Sequence, residues 1–464
     1  MKKIFIPLLT VAVLVAIVLG GCVPGAAPPV TPPVTPPPVT PPVEPPVTPP
    51  PAVEYPAEIP IGVVCALSGG WSGFGVKPGT GFEIAIEHIN ENGGIKNLGG
   101  ALLKAVKGDD EGIPERAAAE AERLITLENV AAIIGIWPTT MPVSDMAERY
   151  ETPAVFPLTI AAVCERGYSY SFHPYCTGAD EAEQQMMTLV RACQENNYPY
   201  PKTVYMAYIS DDCSVTNAQG MRDQFSKWGI EVLGDEILEI AQPTYVPLIT
   251  KMEAANPDFI HTCFYTPGAI TFYREVMERE SYWPYGIMSW GGGIEDIFFY
   301  DSVPPEAYAY AWCQENGDPL PHFRPWFDYI NDRMEEKIGI SWTDSHFVST
   351  YTAAWQIKDA LERVEWSPDL ATFRRNLRDA IAATDITRHT GERIPIPGTD
   401  ETFIPALDPF GQIRVKYDDT GQNVYRAGMV SQNIDGIRWP MYPEMFREPD
   451  GPPSVLPIPP WDER

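Results

Sequence analysis

The chain has 464 residues, 44% of them hydrophobic, with 62 acidic against 33 basic side chains and a formal net charge of −29. That length is enough for two domains plus appendages. So acidic a surface excludes electrostatic docking on nucleic acid or anionic lipid, and any membrane attachment must come from another source.

The N-terminus suggests that source. Met1-Lys2-Lys3 is basic and Ile4 to Leu19 is apolar, too short and too early for a comfortable stop-transfer helix. Leu19-Gly20-Gly21 then leads into Cys22. A small-residue pair before a cysteine, after an apolar core, resembles a bacterial lipobox. The resemblance implies a signal peptide over 1–21 and acylation of Cys22; an ordinary signal peptide or an uncleaved anchor is the alternative. Residues 22–56 are proline-dominated and predict an extended polyproline II linker. At about 3.1 Å per residue it would reach at most roughly 100 Å. Seven cysteines remain, an odd number with no CxxC and no zinc spacing.

From Ile59 the pattern becomes globular. Ile59 to Leu67 is nearly continuously apolar, as in a parallel strand covered on both faces. Gly69, Gly70, Gly73, Gly75 and Gly79 follow, and then Phe82, Ile84, Ala85, Ile86 and Ile89 form a helical stripe. A strand, a glycine-rich loop and a helix N-terminus in this order fit either a ligand loop or a structural turn. Alternating strands and helices continue to Pro157: strands at 101–108, 130–135 and 153–157, helices at 114–128 and 140–150. The series restarts near Asp180 and runs to Ser289, with helices at 180–196, 215–228, 245–255 and 267–280 and strands at 203–209, 230–238, 258–264 and 286–289. Two βα series predict two similar lobes, each a parallel sheet flanked by helices. Helices are expected at 323–338, 345–364 and 368–383. A hairpin is expected from 412–417 and 423–430 around Asp418-Asp419-Thr420-Gly421.

Several stretches, in this order, resemble type I periplasmic binding proteins of the branched-chain amino-acid (Leu/Ile/Val) class. They are the glycine loop of 62–75, Ile89-Asn90 followed by Asn92-Gly93-Gly94-Ile95, the pair Asp109-Asp110, Pro142-Val143-Ser144-Asp145, Arg166-Gly167-Tyr168, and Tyr245 to Ile260. The resemblance covers roughly 59–436. It implies an α/β architecture of two Rossmann-like lobes joined by three crossovers, with the ligand in the cleft between them. Lobe one would hold 57–177 plus 312–405, lobe two 178–311 plus 406–436, with 437–464 an irregular tail. Such proteins are extracytoplasmic receptors that deliver a small molecule to the permease and ATPase subunits of an ABC importer, closing by hinge bending. The implied protein is a monomer without cofactor, anchored through its lipid.

The same resemblance places candidate contacts on loops at the carboxyl ends of strands. Trp71 and Phe74 come from the first loop, and Phe74 stands at a cleft aromatic; lobe packing is the alternative. In Ile136-Trp137-Pro138-Thr139-Thr140 the family has a hydroxyl-rich run, and here Trp137 and Pro138 replace small polar residues. Thr139 or Thr140 would donate a hydrogen bond or cap a helix. Thr159 matches a polar contact, and Tyr265 matches a cleft tyrosine of lobe two. In Ser210-Asp211-Asp212-Cys213-Ser214 a family tyrosine is replaced, with Cys213 or Asp212 in its place, while Asp211 and Asp212 read as solvated. At Ser289-Trp290-Gly291-Gly292-Gly293 the acid that pairs with an amino-acid ammonium is missing, and Trp290 stands there. Glu295 and Asp296 read as a helix start. A buried ammonium without a partner costs several kcal/mol. The aromatic set therefore points to a larger or more apolar ligand, such as an aromatic or aliphatic carboxylate or amide, or to a cation held by ring faces.

No catalytic set is present: no GxSxG, HExxH or GxxxxGK[ST], and six histidines without metal-ligand spacing. A tethered sensory receptor using the same fold is the second functional reading.

Overall fold

The computed structural model describes residues 54–464 except 158, 159, 161, 241, 291, 292, 316–323, 427 and 449. Cys22 and the proline-rich segment lie outside the described residues.

The first βα series is β1 (Glu58–Cys65), α1 (Ser72–Glu91), β2 (Leu102–Asp109), α2 (Pro114–Thr126), β3 (Ala132–Gly135), α3 (Thr140–Arg149), β4 (Ala154–Val155), the short α4 (Ala162–Glu165) and β5 (Ser171–Phe172). Its five strands form a parallel sheet in the order β2-β1-β3-β4-β5. The unbroken apolar run of β1 is explained by cover on both faces. Ile59, Ile61, Val63 and Cys65 share one core cluster with Phe82 and Ile86 of α1. Val64 joins another with Ala117 and Leu124 of α2 and Val143 of α3.

The second series is α5 (Gly178–Glu195), β6 (Thr203–Ile209), α6 (Asp212–Trp228), β7 (Glu231–Leu238), α7 (Val246–Ala255), β8 (Phe259–Cys263), α8 (Thr266–Glu278), β9 (Ile287–Trp290), α9 (Ile297–Ser302), α10 (Pro305–Tyr308) and β10 (Trp312–Glu315). The chain then returns to the first lobe with α11 (Arg324–Ile338), α12 (Ser345–Leu361) and α13 (Leu370–Ala382), whose Trp326, Phe347 and Phe373 join the core of β1. The short strands β11 (Asp385–Thr387), β12 (Ile394–Pro395), β13 (Thr402–Phe403) and β14 (Arg414–Lys416) follow, then β15 (Met429–Ile434) and β16 (Ile437–Tyr442). The second sheet has seven strands, β16-β15-β10-β9-β8-β6-β7, parallel from β7 to β10 and closed by two antiparallel strands.

Five expectations need correction. The glycine-rich stretch is not a loop throughout: α1 begins at Ser72, so Gly73, Phe74, Gly75 and Gly79 lie in the helix. Residues 406–417, expected in lobe two, put Ala406, Leu407, Val415 and Tyr417 into the core of β1. Residues 312–315, expected in lobe one, are β10 and pair with β9 and β15 in the second sheet. The expected hairpin around Asp418 to Gly421 keeps its turn and a single bridge between Tyr417 and Asn423, but its arms separate. β14 pairs with β11 and β15 with β10, so this segment carries the chain from one lobe to the other. The tail is not irregular throughout. β16 extends the second sheet, Tyr282 donates to the Ile458 carbonyl at 2.9 Å, and the Trp461 indole donates to the Ser281 carbonyl at 2.9 Å.

Candidate ligand-binding site

The loops after β1, β2 and β3 meet at one edge of the first sheet, where two neighbouring aspartates tie them together. The Asp109 carboxylate accepts from the Leu67 amide at 2.9 Å and from the Ser68 hydroxyl at 2.6 Å, fixing the glycine loop to the end of β2. Asp110 is fully buried; it accepts from the Gly112 amide at 2.7 Å and from the Thr139 hydroxyl. Burial pushes its carboxyl pKa up, against the pull of these two donors. Gly112 has φ +72°, and a Cβ there would stand 2.3 Å from Cδ1 of Trp71, so the indole lies directly on this backbone. Gly75 serves packing as well: a Cβ would meet the Ala66 carbonyl oxygen at 2.1 Å.

This framework holds Trp71, Phe74 and Trp137 together. The Trp71 and Trp137 rings are edge to face with centroids 4.9 Å apart, and Phe74 and Trp137 are edge to face at 5.9 Å. From the second sheet, Tyr265 at the end of β8 meets Trp137 at 5.0 Å and Phe74 at 5.5 Å. Trp290 at the end of β9 lies 6.2 Å from Tyr265. Five rings from the two lobes thus form one contiguous cluster.

Beneath the rings the second lobe is acidic and hydroxylic. Tyr265 donates to Oδ1 of Asp211 at 3.1 Å. The same oxygen caps α6 through the amides of Cys213 and Ser214, at 3.1 and 3.3 Å. Oδ2 of Asp211 and the Ser214 hydroxyl are buried without a hydrogen-bond partner. The Trp290 indole donates to Oε2 of Glu181 at 2.8 Å, and Glu181 is itself buried at 1% exposure. Across the cleft, the Thr140 hydroxyl at the start of α3 is also buried and unpartnered.

Comparison with known proteins agrees with this architecture. Residues 58–391 match the family described as periplasmic binding protein. The chain belongs to the periplasmic binding protein family. It is 28% identical over 226 residues to an amino acid binding protein of Pseudomonas aeruginosa, covering 48% of this chain and 58% of that one. To the Leu/Ile/Val/Thr-binding protein of Salmonella typhimurium it is 26% identical over 339 residues, covering 70% of this chain and 85% of that one. Among solved structures it is similar to the branched-chain amino acid transporter substrate binding protein LivJ of Streptococcus pneumoniae in complex with isoleucine, with TM-score 0.64, 16% identity, and coverage of 82% and 97% of the two chains. A solute binding protein of R. palustris in complex with benzoate shares the fold with TM-score 0.62, 16% identity, and coverage of 82% and 95%.

Within this periplasmic binding protein, Trp71, Phe74, Trp137, Tyr265 and Trp290 come together in one cluster. Thr139 lies beside them, but its hydroxyl is engaged by Asp110, and Thr140 is the threonine left with an unpartnered oxygen. Cys213 is buried in the first turn of α6. Thr159 lies outside the described residues. Sequence reading missed Glu181 and passed over Asp211. Asp211 had a legible signal, since an aspartate before a helical stripe is an N-cap. Glu181, in the first turn of α5, had none that pointed to Trp290.

A second contact joins the lobes of the binding protein. Lys77, on α1 and 2% exposed, donates to Asp344 at 2.6 Å and to Asp296 of lobe two at 3.2 Å. Burial alone would depress the Lys77 ammonium; the Asp344 and Asp296 carboxylates overcome it and hold the pKa above its usual value. Beside them Ser345 donates to Glu295 at 2.8 Å, the His346 ring stands 3.7 Å from that carboxylate, and the Trp342 indole donates to the Glu295 carbonyl at 3.2 Å. Burial pushes the Glu295 carboxyl up to about 7. Glu295 and Asp296, expected only to start a helix, are the lobe-two half of this latch.

Proposed function

We propose that the chain is an extracytoplasmic receptor that captures a small organic molecule in this cleft and delivers it to an ABC importer, without chemical conversion. The observation that carries the reading is the ring cluster at the carboxyl ends of both sheets. Rings from two lobes in mutual contact form a surface that opening would separate, and parallel α/β sheets bind ligands at those strand ends. The relatives named for amino acids and for benzoate support a ligand with a carboxylate or amide on an apolar body. In lobe one, Thr140 and the amino end of α3 offer donors to such a group, while Thr139 positions the loop through Asp110. Trp71, Phe74, Trp137, Tyr265 and Trp290 wall the body, with Cys213 on the lobe-two side, and the family resemblance adds Thr159 as a polar contact.

The lipobox at Cys22 and the proline-rich spacer support a lipid-tethered, monomeric receptor held outside the cytoplasmic membrane. Among the described residues no helix is long and apolar enough to cross a membrane. Labelled palmitate should be incorporated into the chain, and Cys22→Ser should abolish it.

Thermal unfolding against amino acids, aromatic acids and amides tests the receptor reading. A ligand at a hundred times its Kd stabilises by about 2.7 kcal/mol. Trp290→Ala should weaken the ligand so identified at least tenfold; unchanged affinity removes Trp290 from the site.

A further inference from the structure

The floor of the cleft has a charge that the ring cluster alone does not explain. Asp211 and Glu181 both lie at amino ends of lobe-two helices, and each accepts a hydrogen bond from an aromatic side chain of the cluster: Asp211 from Tyr265, Glu181 from Trp290. The two donors are neighbours, with the Tyr265 and Trp290 ring centroids 6.2 Å apart. Among the described residues no lysine or arginine pairs with Asp211, and the interlobe cation Lys77 is committed to Asp296 and Asp344. Oδ2 of Asp211 is buried with no donor, and the Ser214 hydroxyl, itself fully buried, also has no partner.

Two physical arguments converge. A buried carboxylate oxygen without a donor is costly, and a positive group entering the cleft relieves that cost. Ring faces attract cations through their quadrupole, and a phenol or indole that donates to a carboxylate gains electron density on its ring. Phe74 and Trp137 meet edge to face, and the contacts of Tyr265 with Phe74, Trp137 and Trp290 are tilted by 43° to 60°, so the ring faces point in several directions. Faces outnumber free acceptors here, which favours an alkylated nitrogen over a primary ammonium that must place three N–H donors. An anionic ligand without a positive group would leave Asp211 as unsatisfied as before.

We propose that the cleft takes a small organic ammonium, its alkylated nitrogen enclosed by the faces of Phe74, Trp137, Tyr265 and Trp290, with Asp211 as the counter-charge. This rests on the receptor reading and adds the charge of the ligand to it.

Calorimetry on the full chain in detergent tests it, with six probes. Glycine betaine and choline carry the cation; 3,3-dimethylbutanoate and 3,3-dimethylbutan-1-ol are their uncharged-carbon counterparts; leucine and benzoate represent the ligands of relatives. Betaine or choline should bind at least tenfold tighter than its carbon counterpart. Asp211→Asn should weaken that probe at least tenfold while the melting curve stays close to that of the parent, because Asn caps a helix as well as Asp. Equal binding of a cation and its carbon counterpart, or full affinity in Asp211→Asn, overturns the proposal. Binding of leucine or benzoate without either ammonium probe also overturns it and leaves the receptor reading intact. If none of the six binds, the ammonium proposal fails and the receptor reading loses its support as well.

Discussion

The two lobes touch in two chemically opposite ways. At the ring cluster, Phe74 and Trp137 of lobe one meet Tyr265 of lobe two without any charge crossing between them. At the latch, Lys77 of lobe one meets Asp296 of lobe two as a buried ion pair, reinforced by Asp344 and by Glu295 with Ser345 and His346. Ring contacts tolerate many orientations and can be exchanged for contacts with a ligand. A buried ion pair tolerates few geometries and loses heavily if one partner is taken away. The latch therefore fixes the geometry in which the lobes meet more tightly than the rings do.

The largest effect should come from breaking the latch. Lys77→Met leaves two carboxylates buried without their cation and should destabilise the protein by about 4 kcal/mol in denaturant unfolding. A loss below about 1 kcal/mol would mean that the lobes close without this contact.

The next effect depends on pH. Burial raises the Glu295 carboxyl to about 7 from an ordinary 4.5; His346 and Arg438 pull it down and Asp344 pushes it up, with Ser345 donating to it and the Lys77–Asp296 pair alongside. A carboxyl raised on folding contributes stability below its unfolded pKa, and that contribution is lost as pH rises through the folded value. Buried histidines act in the opposite direction. Burial lowers His88 and His173 to about 4 and His261 to about 3, so their contribution is present above the unfolded value of 6.5 and lost as pH falls. The total therefore hides Glu295, and a difference measurement isolates it. Relative to the parent, Glu295→Gln should gain on the order of 3 kcal/mol between pH 4.5 and pH 8. A pH-independent difference would place the Glu295 pKa near its ordinary value.

At the ring cluster, Tyr265→Phe keeps the ring and removes the donor to Asp211. It should cost about 2 kcal/mol in thermal unfolding, because the acceptor is a carboxylate. A cost as large as that of Lys77→Met would show that the cleft is held by hydrogen bonds more than by ring contact. The smallest effect should be Lys96→Ala, which breaks an exposed ion pair with Glu392 away from both contacts and should change stability by less than about 0.5 kcal/mol in the same assay.

Much of the fold was legible because its signals are local. The apolar run of β1, the helical stripe after Gly79 and the restart near Asp180 each follow from cover on both faces or on one, which sequence period records directly. The expected strand 203–209 coincides with β6, and α2, α3 and α5 to α8 fall within three residues of their expected ends, whereas α1 begins seven residues before the expected Gly79. The expected hairpin failed because its turn is local and its partners are not. The Asp418 turn forms, yet β14 pairs with β11 and β15 with β10, choices made by sheet edges far along the chain.

The site divides in the same way. The glycine-rich stretch after β1 and its Trp71 and Phe74 stood out in the sequence, as did Trp137, Tyr265 and Trp290, because loops at strand ends carry function and bulky rings are conspicuous there. By itself the sequence determined two α/β lobes and the aromatic character of their shared edge. Tertiary structure alone decided the charges. Glu181 lies 109 positions from Trp290, and Lys77 lies 219 from Asp296 and 267 from Asp344. Such meetings depend on strand order and on how far the lobes close, and a single carboxylate or lysine carries no periodic signal to announce its partner.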